Sequence, residues 1–373
     1  MIEALTERTF DLEALVRPAV RAIPSYVPAK VPVDRPARMV KLDMNESPYG
    51  PSPKARAALA EFAETHRYPD FEATPLRVAL GRYLGVPAEQ IVAGAGLDDV
   101  LNNLMHLFVD PGDEIIISEP TFGVYRSLAA IYAGVVVDVP LSSDFTLDAD
   151  AVLAAVTDRT KLLIVCTPNN PTGNELDPVA VERVVASAPC LVAIDEAYAE
   201  FTGGSHLGLM DRYPNVCILR TLSKFAGLAG MRVGYGAFPA AMMPSLLRVA
   251  PPFFNVSAAS TVAAVASLDD LPYLRGMVAR IVADREALAA NLRELPGVEP
   301  LPSVTNFLLV RLPVSNAGPV VAALAARGVF VRHFPRPELG IADCLRVTVG
   351  TPEENEFFLN ELAEVLDEGV SQA

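Results

Sequence analysis

The sequence predicts an α/β protein: a large domain with a mainly parallel sheet covered by helices, a smaller C-terminal α/β domain, and an extended N-terminal arm. Between about Pro87 and Phe238, short apolar runs alternate with helical patterns, as expected when crossover helices join parallel strands and bury both faces of the sheet. The chain has 373 residues, more than one hydrophobic core ordinarily organises. Prolines crowd the stretch from residue 18 to 53 and keep it extended.

Taken in order, residues 1–40 form the arm, expected to pack with the smaller domain. Residues 41–272 form the large domain, and 273–373 form a connector helix and the small domain. The strand candidates of the large domain are Glu114–Ser118, Val135–Val139, Leu162–Cys166, Leu191–Ile194, Val216–Leu219 and Val233–Ala237. In sheets of this kind ligands bind at the carboxyl ends of the strands. Glycines precede a helical stretch from about Leu97 to Phe108. The connector is predicted from about Tyr273 to Leu295, with Met277, Ile281, Leu288 and Leu292 on one side. Beyond it, runs at Asn306–Arg311, Val329–Arg332 and Leu345–Val349 and a helix from about Pro352 make the small α/β module.

Composition excludes several classes. The chain is 51% hydrophobic and 20% charged, and no stretch approaches the roughly 18 uncharged apolar residues of a membrane span. The first residues carry acids and lack a basic flank before an apolar run, so they do not read as a signal peptide, and a cytoplasmic location is expected. Cys166, Cys190, Cys217 and Cys344 lie far apart, with no metal-ligand spacing, so neither a metal site nor a disulfide frame is expected. A net charge of −15 argues against a nucleic-acid surface.

Three segments carry the chemistry, and each closes a predicted strand. Val192 to Tyr198 ends an apolar run in Asp195, with Tyr198 three residues on. Thr221-Leu222-Ser223-Lys224 follows another run, with Arg232 eight residues beyond Lys224. Thr167 to Gly173, containing Asn170, follows the run ending at Cys166. Singly, these read as solvated acids, a polar turn and a proline-rich loop. Together they supply what pyridoxal phosphate asks of a protein. Lys224 offers the amine that links to the cofactor and shuttles a proton. Asp195 offers the anion that keeps the pyridine nitrogen protonated, and Asn170 and Tyr198 offer donors to the phenolic oxygen. For the phosphate, the Gly94-Ala95-Gly96 turn opens a helix at Leu97 and Asp98, with Ser223, Arg232 and Thr221 completing the cup. A dinucleotide fingerprint is excluded there, because its third glycine is missing.

These residues resemble the class I and II aminotransferases of fold type I, and within them the histidinol-phosphate aminotransferase branch. The resemblance runs from Leu42 to Gly50, through Arg67 to Asp70, Pro120 to Tyr125, Pro168 to Gly173, Asp195 to Tyr198 and Ser223 to Tyr235, to Leu345–Gly350. It implies that Phe122 stacks on the cofactor ring and that Tyr68 reaches the cofactor phosphate of a neighbouring subunit in a homodimer. It also implies that Arg346 and Arg332 grip the substrate anion, and that Asn45 and the arm residue Tyr26 line the substrate. The implied reaction is transfer of an amino group from a small-molecule donor to a 2-oxoacid, histidinol phosphate with 2-oxoglutarate being the leading pair.

Departures from the family pattern touch substrate choice. Phe122 stands where tyrosine is usual, Phe225-Ala226-Gly227 replaces the commoner Ala-Phe-Gly, and Ser47 stands where asparagine is frequent. An aromatic amino acid aminotransferase and a threonine-phosphate decarboxylase therefore remain alternatives. A cofactor-sensing regulator is disfavoured, because the proline-rich residues before the first motif show neither a helix-turn-helix pattern nor a basic cluster. The sharp exit from the third segment further predicts a cis Asn170-Pro171 bond.

Overall fold

A computed structural model describes residues 12–23, 38–249 and 254–370. The first strand, β1 (Val40–Lys41), belongs with the C-terminal part. The main sheet contains β2 (Ile91–Ala95), β3 (Glu114–Ile117), β4 (Val135–Asp138), β5 (Thr160–Cys166), β6 (Leu191–Asp195), β7 (Val216–Thr221) and β8 (Val233–Ala237). Its order is β2-β8-β7-β6-β5-β3-β4.

Strands β3 to β7 pair in parallel, and β8 runs antiparallel to both its neighbours, β2 and β7. The connection from β7 to β8 explains the reversal. It holds a short 3-10 turn, Ala229–Met231, and no crossover helix, so the chain returns beside the strand it left. Lys224 and Arg232, near the two ends of that return, thereby share one edge of the sheet.

Strand residues alternate between two apolar layers. Ile115, Ile164, Ala193 and Leu219 face one core, whereas Ile116, Val165, Val192 and Ile218 face the other. This period of two, with apolar residues in both phases, is the pattern of strands covered on both faces. The helix Leu97–Phe108 forms where the sequence predicts it. Its start lies so close to β8 that a Cβ on Gly234 would stand 2.1 Å from Leu97 N, so only glycine fits there.

The helix Leu271–Arg293 joins the two parts: Leu274 and Ile281 are buried in the main core, and Leu288, Ala289 and Leu292 in a second core. That second core is built on β9 (Glu299–Pro300), β10 (Phe307–Arg311), β11 (Val329–Phe330), β12 (Arg332–His333) and β13 (Cys344–Thr348), with the helices Gly318–Ala326 and Pro352–Val370 against it. An antiparallel sheet runs β12-β13-β10-β9, while β11 pairs in parallel with β1.

Three expectations are corrected. The run Val329–Arg332 is not one strand: its first half pairs with β1 and its second with β13, the chain crossing between sheets at the buried Val331. The boundary at residue 41 falls inside the second core, because Val40 and Leu42 pack there and Arg38 stacks over Phe357, 4.5 Å from the ring centroid. Of the arm's described residues, Val40 packs with that core. Residues 12–23 instead rest on the helix Val124–Ile131 of the main sheet, where Arg17 donates to the carbonyl of Ile131.

Candidate active site

The ends of β2, β3, β5, β6 and β7 line one edge of the main sheet, and the expected residues gather there from separate connections. Asp195 ends β6 with 2% of its surface exposed. Its Oδ2 accepts from the Tyr125 hydroxyl at 2.6 Å and its Oδ1 from the Ala197 N–H at 3.0 Å. Burial pushes its carboxyl up to about 6, against the lowering effect of those two donors.

Tyr198 is also buried, and its phenol oxygen accepts from the Asn45 amide at 2.8 Å and more weakly from that of Asn170 at 3.5 Å. Arg346 fixes the orientation of the Asn170 amide by donating to its Oδ1 at 2.6 Å, with a second donation to the Asp43 carbonyl at 2.5 Å. The Asn170-Pro171 bond is cis, as predicted. Asn45 holds a left-handed φ of 53° and donates through its backbone N–H to Thr348 Oγ1 at 2.9 Å, which links the N-terminal segment to β13.

Lys224 is partly buried, with Nζ donating to the carbonyl of Met44 at 3.0 Å. Burial first and the guanidinium of Arg346 second bring its ammonium down to about 8, with Arg232 adding and Glu46 and Asp98 opposing. This is the environment expected of a nucleophilic amine.

Beside it a helix start, two hydroxyls and a guanidinium come together. Gly96 has a φ of 90° and caps the helix Leu97–Phe108. A Cβ there would come within 2.3 Å of Arg232 Nη2, so the missing side chain is what lets the guanidinium lie against the helix start. Arg232 is itself left-handed at a φ of 51° and stands 3.5 Å from Asp98. Thr221 Oγ1 receives the Ser223 N–H at 3.1 Å, folding both buried hydroxyls into the same turn. Asp99 serves the fold, accepting from Ala95 N–H at 2.9 Å and Asn255 at 2.7 Å.

Phe122 is half-buried, edge-on to Tyr125 with centroids 5.6 Å apart. Arg332 and Arg346 are direct cross-strand partners in β12 and β13, so both side chains leave the same face of the small sheet. Tyr68 does not join the interior: it is 85% exposed and stacks on Phe254 at 5.0 Å. Tyr26 lies outside the described residues.

Sequence reasoning missed the bond between Tyr125 and Asp195, although Tyr125 lies in the Pro120–Tyr125 motif. It also missed Asp43, Thr348 and Asn306, which tie the residue 43–45 segment to the small sheet.

A lysine–carboxylate–amide–phenol set at the carboxyl edge of a mainly parallel sheet, beside a helix start flanked by Arg232, defines an enzyme of the fold type I aminotransferase class. A family model described as "Aminotransferase class I and II" matches residues 37–362, and the chain belongs to that family. A histidinol-phosphate aminotransferase of Roseiflexus castenholzii is 46% identical over 95% of this chain and 99% of its own length. One from Dehalococcoides mccartyi is 38% identical over 96% and 99% respectively. Among solved structures, the Sinorhizobium meliloti histidinol-phosphate aminotransferase in complex with pyridoxal-5'-phosphate superposes with a TM-score of 0.85 at 28% identity, covering 99% of this chain and all of that one.

Proposed function

We propose that this chain uses pyridoxal phosphate to move an amino group from histidinol phosphate to 2-oxoglutarate, as a homodimer whose active sites each draw on both subunits. The observation that carries the substrate assignment is the Arg332–Arg346 cross-strand pair. That register sets two guanidinium groups on one face of the small sheet, where a dianionic phosphate can take charge-assisted hydrogen bonds from both.

The residues fit the cofactor on the structure's own terms. Asp195 is a buried carboxylate held by neutral donors, which suits a protonated pyridine nitrogen. Gly96, Thr221, Ser223 and Arg232 would cradle its phosphate, and Asn170 and Tyr198 would donate to its phenolic oxygen. When bound, the cofactor supplies an electron sink that acidifies the donor's α-proton and stores the amino group between half-reactions. Lys224 Nζ would hold the cofactor until the donor arrives and would then take the proton from the donor's Cα. Its pKa near 8 lets it act as a base and then return the proton as an acid. Phe122 would cover one face of the cofactor, and Asn45 and Arg346 would orient the donor. The assignment includes a cytoplasmic location, supported by four cysteines that are all buried and unpaired. Among the described residues no helix is long and apolar enough to cross a membrane.

The substrate assignment is tested by a donor panel. Histidinol phosphate should give a higher kcat/KM than phenylalanine or tyrosine with 2-oxoglutarate as acceptor. Arg332→Ala should lower the histidinol phosphate value about 10- to 100-fold, the worth of a hydrogen bond to a charged group, and leave phenylalanine nearly unchanged. A panel led by phenylalanine would instead favour an aromatic aminotransferase, the reading to which Phe122 lends some support.

Subunit sharing is tested by complementation. Tyr68, with Phe71 and Phe254, makes an exposed aromatic cluster suited to contact with a second copy. If Tyr68 serves the partner's site, mixed Lys224→Ala and Tyr68→Phe subunits contain one site with both defects and one with neither. Activity of the exchanged mixture should rise above that of both parents. Verified exchange without recovery would remove Tyr68 from the shared site.

A further inference from the structure

We infer that Tyr125 is a positioning residue that holds the Asp195 carboxylate oriented and ionised for the cofactor's ring nitrogen. The inference rests on the role proposed above for Asp195. Tyr125 is fully buried in the helix Val124–Ile131, and its hydroxyl meets Asp195 Oδ2 at 2.6 Å. The other carboxylate oxygen is taken by the Ala197 N–H at 3.0 Å, so the two donors together fix the carboxylate plane.

The surroundings show why a donor is needed. Asp98, from the start of the helix Leu97–Phe108, and Glu196, the next residue in the chain, both bear on Asp195 as like charges that oppose its ionisation. Cys166, at the end of β5, is a buried neutral thiol whose own ionisation is pushed up to about 12, chiefly by burial. Tyr198 is likewise pushed up by burial and stays a neutral phenol. Of the side chains around Asp195, Tyr125 is therefore the one whose hydrogen bond favours the carboxylate. Its own hydroxyl is held well above its ordinary value, first by burial and then by the Asp195 charge, so it remains a donor throughout the working pH range.

The test is a titration of the cofactor-free protein with pyridoxal phosphate, reading the dissociation constant by absorbance from pH 5 to 8.5. In the unaltered protein, affinity should weaken gradually below about pH 8, where Lys224 takes up a proton, and show a second break near 6, where Asp195 does; the Asp195 break is the one the variants address. Tyr125→Phe deletes one oxygen from a packed ring and should move that break upward by about one pH unit, the scale of a lost hydrogen bond to a charged group. The affinity deficit of the variant should then grow from about twofold at pH 7 to about tenfold at pH 5. In an Asp195→Asn background the break should be absent, and Tyr125→Phe should not alter the pH dependence. A deficit equal at every pH, or a break left where the unaltered protein has it, would reduce Tyr125 to packing and overturn the inference. If Asp195→Asn itself left affinity and its pH dependence unchanged, the role of Asp195 would fail instead.

Discussion

Lys224→Ala should abolish turnover with every donor, a loss of about ten-thousandfold or more. The change removes both the nucleophile and the group that moves the α-proton, and proton transfer alone accounts for 10²- to 10⁴-fold. The cradle of Gly96, Ser223, Thr221 and Arg232 is untouched, so pyridoxal phosphate should still bind. What should disappear is the borohydride-stable bond, read as a mass increment on the peptide containing residue 224. In the unaltered protein the rate of forming that bond should rise with pH and level off near 8, because burial and Arg346 lower the ammonium of Lys224 and leave the amine neutral above that point. A borohydride-stable increment retained by Lys224→Ala would move the attachment elsewhere.

The parts of the site legible in the sequence are those written as local chemistry at the end of an apolar run. Asp195 ends, and Asn170 and Lys224 follow, strands whose residues alternate between two cores, so their position at the sheet edge follows from the pattern alone. Strand β2 was not legible. It ends in Ala93-Gly94-Ala95, which by composition reads as a turn, its partner β8 lies far along the chain, and its glycine faces the start of the helix Leu97–Phe108 rather than an apolar core. The split of Val329–Arg332 was hidden for a related reason: a continuous apolar run carries no mark of the point at which it changes sheets. Tyr125 shows the limit for the site itself. Its sequence neighbours make it an ordinary buried helical residue, and its function rests on a contact with a residue 70 positions away.

Asp195→Asn should slow the first half-reaction about 100- to 1,000-fold at saturating cofactor, second in size only to loss of Lys224. The exchange keeps the shape and removes the charge, and breaking a buried ion pair by neutralising one partner costs about 3–5 kcal/mol. Part of that cost falls on binding, so saturation must be verified before rates are compared. The remainder falls on the chemical step, because an unprotonated ring nitrogen accepts electrons from the donor's Cα less well. The two contributions separate by substrate: the dissociation constant of the cofactor reports the first, and the single-turnover rate of conversion to the amino form reports the second. Arg346 and Tyr198 keep their places in this variant, since neither hydrogen-bonds Asp195, so donor affinity should change little. A normal single-turnover rate in Asp195→Asn would mean that the ring is activated without an anionic partner, and would return Asp195 to the role of a buried structural acid.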